Sequence, residues 1–177
     1  GKKDFDRLEQ GIFMAFLLIG AAAMVLNIFV YAGVEKILLF LRVPSEVIPL
    51  MRTYLLWIFA GIPAVFLYNF IANLLRAVGN SIVPLAFLGV SAVLNICLDL
   101  LFIRSFSWGV GGAAAATVLS QYMAGVGIVC YYFLKYPQLR VQKQNRLWDK
   151  TILKELAGLS SLTCLQQSII NFVILMV

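Results

Sequence analysis

At 177 residues the chain has the length of one globular domain. Its composition excludes a soluble one: 62% of residues are hydrophobic and 12% charged, against about 45–50% and about 25% in soluble domains. With a mean hydropathy of +0.94, 13 Phe and no His, too little polar surface remains to cover a water-soluble body, so a soluble enzyme, a disordered tail and a secreted disulfide scaffold are all excluded.

The expected fold is an all-α integral membrane protein, a polytopic helix bundle. A spanning helix needs roughly 20 apolar residues. Charge-free runs predict helix A over 11–34 and helix B over 53–75. Ala77-Val78-Gly79-Asn80-Ser81 reads as a turn. Helix C then runs over 82–104, with Pro84 tolerated in its first turn. Helix D covers 109–134 after a turn at Trp108-Gly109, and helix E covers 156–177. The runs do not alternate with period two, which excludes a transmembrane β-barrel. The chain opens at Gly1-Lys2-Lys3-Asp4 without an initiating Met and closes at Leu175-Met176-Val177 inside an apolar run with no polar cap, and the expectation is an internal piece of a longer polytopic protein.

Successive connections alternate sides. Ten Lys and Arg fall in loops 1–10, 76–81 and 135–155, and four in 35–52 and 104–108. The positive-inside rule places the first set in the cytoplasm of a multi-pass plasma-membrane protein. Trp57 and Trp108 then mark the outer interface, and Tyr131, Tyr132, Tyr136 and Trp148 the inner one. The basic stretch 138–155 reads either as an interfacial helix or as a solvated linker, and separates residues 1–137 from 156–177. Cys97, Cys130 and Cys164 are far apart, with neither metal nor disulfide spacing, and read as buried small hydrophobes.

Polar groups inside spans carry the functional argument. Asn95 and Asp99 are four residues apart, so they share a face of helix C. Measured from Arg104, Asp99 lies roughly 7–8 Å deep and Asn95 about 13 Å, while Thr117 on helix D lies about 12 Å from Gly109. Hairpin geometry therefore brings the three to similar depth. A carboxylate there costs at least about 2.5–3.5 kcal/mol unless offset. A proton on Asp99, or Na⁺ held by Asp99, Asn95 and Thr117 oxygens, would offset it. Snorkelling or pairing with Arg104 is the alternative, poorly aimed because five residues turn the helix about 140° off. Small residues at 109, 112, 113, 116 and 120 of helix D let another backbone approach, and expose carbonyls such as that of Ala113. Gly61-Ile62-Pro63 should kink helix B. Asn69 and Asn73 beyond it line a cavity or, the preferred reading, bridge to helix C. Ser160, Thr163, Cys164, Gln167 and Asn171 form a polar stripe on helix E that faces a cavity or glues helices.

Three segments carry a resemblance. Leu75-Arg76-Ala77-Val78-Gly79-Asn80-Ser81-Ile82-Val83-Pro84-Leu85 resembles the LRAxGNSxxPL loop of multidrug and toxic compound extrusion (MATE) transporters. The segment from Leu94 to Ile103 resembles their NxxLDxLFI helix, and Gly109 to Gln121 their GVxGAAxATxxSQ helix. The resemblance implies a two-lobe, twelve-helix transporter, with A to D as its third to sixth helices and E as its seventh. It implies alternating-access export of bulky, often cationic amphiphiles against Na⁺ or H⁺, with no cofactor and no enzymatic step. It places the cation or proton site on Asp99, Asn95 and Thr117, near Ala113, together with an acid from a helix outside this chain. Asn69, Asn73, Gln167 and Asn171 become substrate-cavity candidates, and Arg76, Gly79 and Pro84 a conformational cap. The expected partners are the bilayer, the substrate and the remaining helices of the same protein, not nucleic acid. A lipid-linked precursor or polysaccharide flippase of the wider superfamily is the alternative, disfavoured because no cation lies deep in a span to hold pyrophosphate. A membrane-embedded protease or transferase would need His, paired acids or Ser/Lys in the spans.

Overall fold

The computed structural model describes residues 2–137, 149–158, 160–161 and 165–166. The α-helices of residues 2–137 run in chain order α1 Lys2–Phe40, α2 Ile48–Ala60, α3 Ile62–Ala77, α4 Ile82–Leu100 and α5 Gly109–Lys135, with a π-helical turn at Leu101–Ser105 after α4. Residues 150–158 are helical as well, and no strand occurs among the described residues. Two compact units separate. One is Ile19–Pro137; the other holds the remaining described residues.

Among the described residues, four helical stretches are long and apolar enough to cross a membrane: Asp6–Phe40, Ile48–Ala77, Ile82–Ser105 and Gly109–Lys135. The expected helix E, with Thr163, Cys164, Gln167 and Asn171, lies mostly outside the described residues, as does most of the 138–155 stretch. Segment 1–10, expected as a loop, is helical from Lys2 onward. Likewise α1 runs on to Phe40 and α2 starts at Ile48, so the connection is only 41–47. Hydropathy marks the hydrocarbon layer, not the end of the helix. Lys, Arg, Leu, Glu and Gln all propagate a helix at little cost.

Capping chemistry sets the turns. At the end of α3 the Asn80 N–H donates to Leu75 O at 2.8 Å and the Gly79 N–H to Arg76 O at 3.0 Å. This is a Schellman closure, and Gly79 takes the left-handed φ of 83° that it requires. Asn80 then caps α4 by accepting the Val83 N–H at 3.2 Å, and donates to the Tyr136 hydroxyl at 3.0 Å. The α3–α4 turn is thereby tied to the end of α5. At the opposite end of the bundle, Thr53 at the start of α2 faces Gly111 at the start of α5. In the other unit Asp149 caps residues 150–158: the Thr151 N–H donates to its Oδ1 at 2.7 Å and holds the carboxyl below the usual range.

The expected kink falls at Gly61, a single turn residue between α2 and α3 that keeps helical dihedrals, φ −76° and ψ −18°. Pro63 has no N–H to give Phe59 O its normal i+4 bond. Asn27 of α1 supplies the donor instead, Nδ2 to Phe59 O at 2.6 Å. Tyr31 donates to Leu56 O at 2.7 Å, and Tyr122 of α5 to Ala60 O at 2.9 Å. In hydrocarbon every such carbonyl needs a partner. Asn27→Ala should therefore cost about 1–2 kcal/mol, the upper part of the range for an interhelical bond in a membrane. Introducing Pro63→Ala as well supplies a backbone N–H and should remove most of that cost. A double-mutant cycle on thermal unfolding checks it; a coupling near zero would mean that Asn27 does not satisfy the kink.

Helix α5 is the hub, packing against α2, α3 and α4. Its buried positions are mostly small: Gly112, Ala114, Ala115, Ala116, Ser120, Ala124 and Gly125. Of the small residues expected to allow close backbone approach, Gly112, Ala116 and Ser120 are buried, Ala113 is half-buried and Gly109 is exposed. By contrast α4 buries only Pro84, and its exposed Leu, Val and Ile side chains suit a lipid surround. Cys97 and Cys130 are free and exposed rather than buried; the apolar helix faces they sit on point outward.

Candidate functional site

Helices α4 and α5 are joined by the short turn 106–108, so residues at equal distance from it meet. Phe102, Phe106 and Trp108 pack the turn, with centroids 5.1 to 6.1 Å apart. Asn95 Nδ2 donates to Thr117 Oγ1 at 3.3 Å, and the Thr117 hydroxyl donates to Ala113 O at 3.0 Å. One turn further from the loop, Ser91 donates to Ser120 O at 3.0 Å and Ser120 to Thr117 O at 2.8 Å. These bonds fix the register of the two helices. Asn95, Thr117 and Ala113, singled out from the sequence, are thus brought together.

Asp99 lies one helical turn from Asn95, toward the 106–108 turn. Its Oδ1 is buried and has no hydrogen-bond partner. Arg104 does not pair with it; elsewhere Arg52 meets Glu35 at 3.3 Å, on exposed side chains. The π-helical turn begins two residues after Asp99, where such distortions often accompany function. A lone carboxylate oxygen shut away from water is costly as an anion. With Asn95, Thr117 and Ala113 close by, the oxygen-only donor set suits a proton or a hard monovalent cation and not zinc. No cluster of three His, Cys, Asp or Glu occurs among the described residues.

A cleft of about 400 Å³ opens on another side of α5. Ile19, Ala23, Ile58 and Ile62 wall it, Phe66 and Phe70 supply rings, and Asn69, Asn73 and Gln121 supply amides. Asn69 and Asn73 therefore do not bridge to α4. Asn69 donates to its own helix at Val65 O, 2.9 Å, and Asn73 Oδ1 accepts from Arg76 at 2.9 Å. The reason is that α5 stands between most of α3 and α4, which meet only near their turn, where Tyr68 donates to Pro84 O at 2.7 Å. Pro84 is fully buried there, and Arg76 sits in the last turn of α3.

Sequence reasoning gave no site role to Gln121, which presses its Oε1 against Gly61 at the kink. Its spacing from Thr117, one helical turn, was the available signal. Asn27, a lone amide in an apolar run, was another: such a group inside a span must find a partner.

These features define a class, a multi-pass helical membrane protein with a buried polar pair, an unpartnered carboxylate and an amide-lined cleft. The family model described as MatE matches residues 1–101, more than half of the chain. The chain belongs to this family, the multidrug and toxic compound extrusion transporters, which are transporters and not enzymes. "Probable multidrug resistance protein YpnP" of Bacillus subtilis is 46% identical over 102 residues, covering 58% of this chain and 22% of that protein. "Multidrug export protein MepA" of Staphylococcus saprophyticus is 29% identical over 119 residues, 67% of this chain and 26% of its own length. A solved MATE family transporter in an outward-facing conformation superposes with a TM-score of 0.76 at 25% identity, over 95% of this chain and 39% of that one. An inward-facing one gives 0.78 at 22% identity, over 87% and 35%, a likeness of fold. The chain spans about a quarter of the length of these two curated relatives.

Proposed function

We propose that the chain is part of a secondary active transporter that exports drugs or toxic organic compounds against Na⁺ or H⁺. The observation that carries this is Asp99: a buried carboxylate oxygen without a donor, beside Asn95, Thr117 and the Ala113 carbonyl. In this reading Asp99 takes up the coupling proton or supplies charge to Na⁺. Asn95 and Thr117 shape the oxygen shell, and the Ser91–Ser120 bond keeps the two helices in register. The helices α1 to α5 belong to the first of two lobes. Asn69 and Asn73 line the substrate path. The turn from Arg76 to Pro84, closed by Gly79 and tied to α5 through Asn80, caps the lobe at one end.

Coupling requires that ion and substrate stabilise different conformations. Loading Asp99 removes an unpaired buried charge, so it favours whichever state closes the α4–α5 seam most tightly around it. The flippase alternative gains nothing from the relatives, whose names are those of drug exporters. The full-length protein, reconstituted in liposomes loaded with ethidium, tests the reading. Imposing a Na⁺ or proton gradient should drive efflux, and dissipating it should stop efflux. Efflux indifferent to both gradients would overturn the coupling.

A further inference from the structure

Two contacts of α4 with α5 flank Asp99, and they differ in kind. On the side away from the 106–108 turn, Asn95 bonds to Thr117 at 3.3 Å. On the turn side, Phe102 follows Asp99 by three residues and so stands on the same helix face. There the contact is steric, and Gly112 permits it. A Cβ built at Gly112 would lie 2.9 Å from the Trp108 Cβ and 3.1 Å from the Phe102 Cβ. The backbone fixes both of those atoms, so no rotamer change moves them aside. Neighbouring Gly111 is different: a Cβ there meets Thr53 Cγ2 at 3.6 Å, an ordinary contact. The chain between Asp99 and Gly112 is folded around the close approach. The π-helical turn closes with the Phe106 N–H donating to Leu101 O at 3.3 Å, one residue more than an α-turn spans. Ser107 then takes a left-handed φ of 54°, unfavourable for serine, and the Trp108 N–H returns to Phe102 O at 3.1 Å. The Phe102 and Trp108 rings pack at 5.1 Å, with Phe106 against both. Phe102 is half-buried, whereas Phe106 and Trp108 are exposed, so the three rings form a layer one helical turn beyond the carboxylate.

We propose that Gly112 is a positioning residue for the Asp99 site: by admitting Phe102 and Trp108 against α5, it seals the carboxylate from water at the 106–108 turn. The inference rests on the ion-coupling reading and names the residue that keeps its carboxylate dry. A carboxylate open to water is already solvated and gains little from an arriving ion. One that is shut away without a donor gains much. The seal therefore sets how strongly the site draws its ion. Gly112→Ala must lift the end of α4, or the turn that follows it, off α5, because neither facing Cβ can yield. The Asn95–Thr117 bond lies on the other side of Asp99, so the opening falls on the turn side.

The test uses the full-length protein in lipid nanodiscs, with its native cysteines replaced by serine and Asp99→Cys introduced. It reads the rate at which the hydrophilic thiol reagent MTSET modifies that position. Gly112→Ala should raise the rate about tenfold or more, and Gly111→Ala should leave it within about twofold. Ala72→Cys, fully buried on α3, is the reference: a general loosening of the bundle would raise its rate too, and a local opening leaves it unchanged. Phe102→Ala keeps the Cβ and removes the ring, so it should raise the Asp99→Cys rate without a clash, and it decides alone if Gly112→Ala does not accumulate. With Asp99 intact, Gly112→Ala should raise the coupling-ion concentration that half-saturates ethidium efflux by about tenfold, with a smaller change in maximal rate. Equal Asp99→Cys rates in the two glycine variants, an equal rise at Ala72→Cys, or an unchanged half-saturating concentration would overturn the proposal and leave Gly112 a packing residue. Wild-type efflux separates the two levels. Gradient-driven efflux with an unchanged modification rate defeats the seal alone, whereas no efflux under any gradient defeats the export reading on which it rests.

Discussion

Asp99→Asn in the full-length protein should reduce ion-coupled efflux to background while membrane insertion stays intact and thermal stability rises. The three outcomes come from one observation, the buried and unpartnered Oδ1. Asparagine keeps the volume and one oxygen, but it can neither take up a proton nor offer charge to Na⁺. Losing a charged partner is worth about 1.5–3 kcal/mol, so ion affinity should fall by about ten- to a hundredfold or more. In the ion-free state the same change removes an uncompensated carboxylate and should stabilise by about 1 kcal/mol or more. Thr117→Ala should do less to ion affinity, because it removes one neutral oxygen. It also frees Asn95 Nδ2 from its 3.3 Å bond, so its stability should fall rather than rise. The opposite signs distinguish a binding residue from a structural one. If Asp99→Asn expresses normally, keeps full drug resistance and loses stability, Asp99 holds the fold, and the assignment of Asn95 and Thr117 falls with it.

The meeting of Asn95 with Thr117 was legible in the sequence because two constraints left little freedom. A tight turn makes α4 and α5 antiparallel neighbours, and a fixed rise per residue then sets equal depths. The facing of Asn69 and Asn73 was harder. Bridging to α4 assumed that consecutive helices touch along their length. In the structure α3 packs on α5 through Ala64, Ile71, Ala72 and Leu75. Relative to Ala64, Asn69 and Asn73 point about 140° and 180° around the helix, away from that contact. Ala64 and Ala72 of that face were in the sequence, but pairing them with the small face of α5 needed the third dimension. The π-helical turn in Leu-Phe-Ile-Arg-Ser has no residue signature at all. The helical state of Lys2 to Gln10 was hidden for another reason: charged residues end an apolar run without ending a helix.

The second large effect should come from Gly125. A Cβ built there would lie 3.0 Å from the Ala64 carbonyl oxygen, a backbone atom of α3 that cannot turn aside. Gly125→Val must push α3 off α5 and should destabilise by about 1–3 kcal/mol, the usual range for overpacking. Gly89 is its control on α4: nothing stands within 4 Å of a Cβ there. Gly89→Ala should therefore raise stability by about 0.5–1 kcal/mol, through the chain entropy that a mid-helix glycine forfeits. Opposite signs for two glycine substitutions, read as thermal midpoints of the full-length protein, would locate the tight contact at α3–α5. The variant also separates the cleft from the carboxylate site. Displacing α3 moves Phe66, Phe70 and Asn73 relative to Gln121, so ligand binding in the cleft should weaken. The Asn95–Thr117 and Ser91–Ser120 bonds lie between α4 and α5 and do not pass through Ala64. Whatever stabilisation Na⁺ or low pH gives the wild type should persist in Gly125→Val. If that stabilisation disappears together with cleft binding, the two sites are not mechanically separable, and the register of α4 on α5 depends on α3 after all.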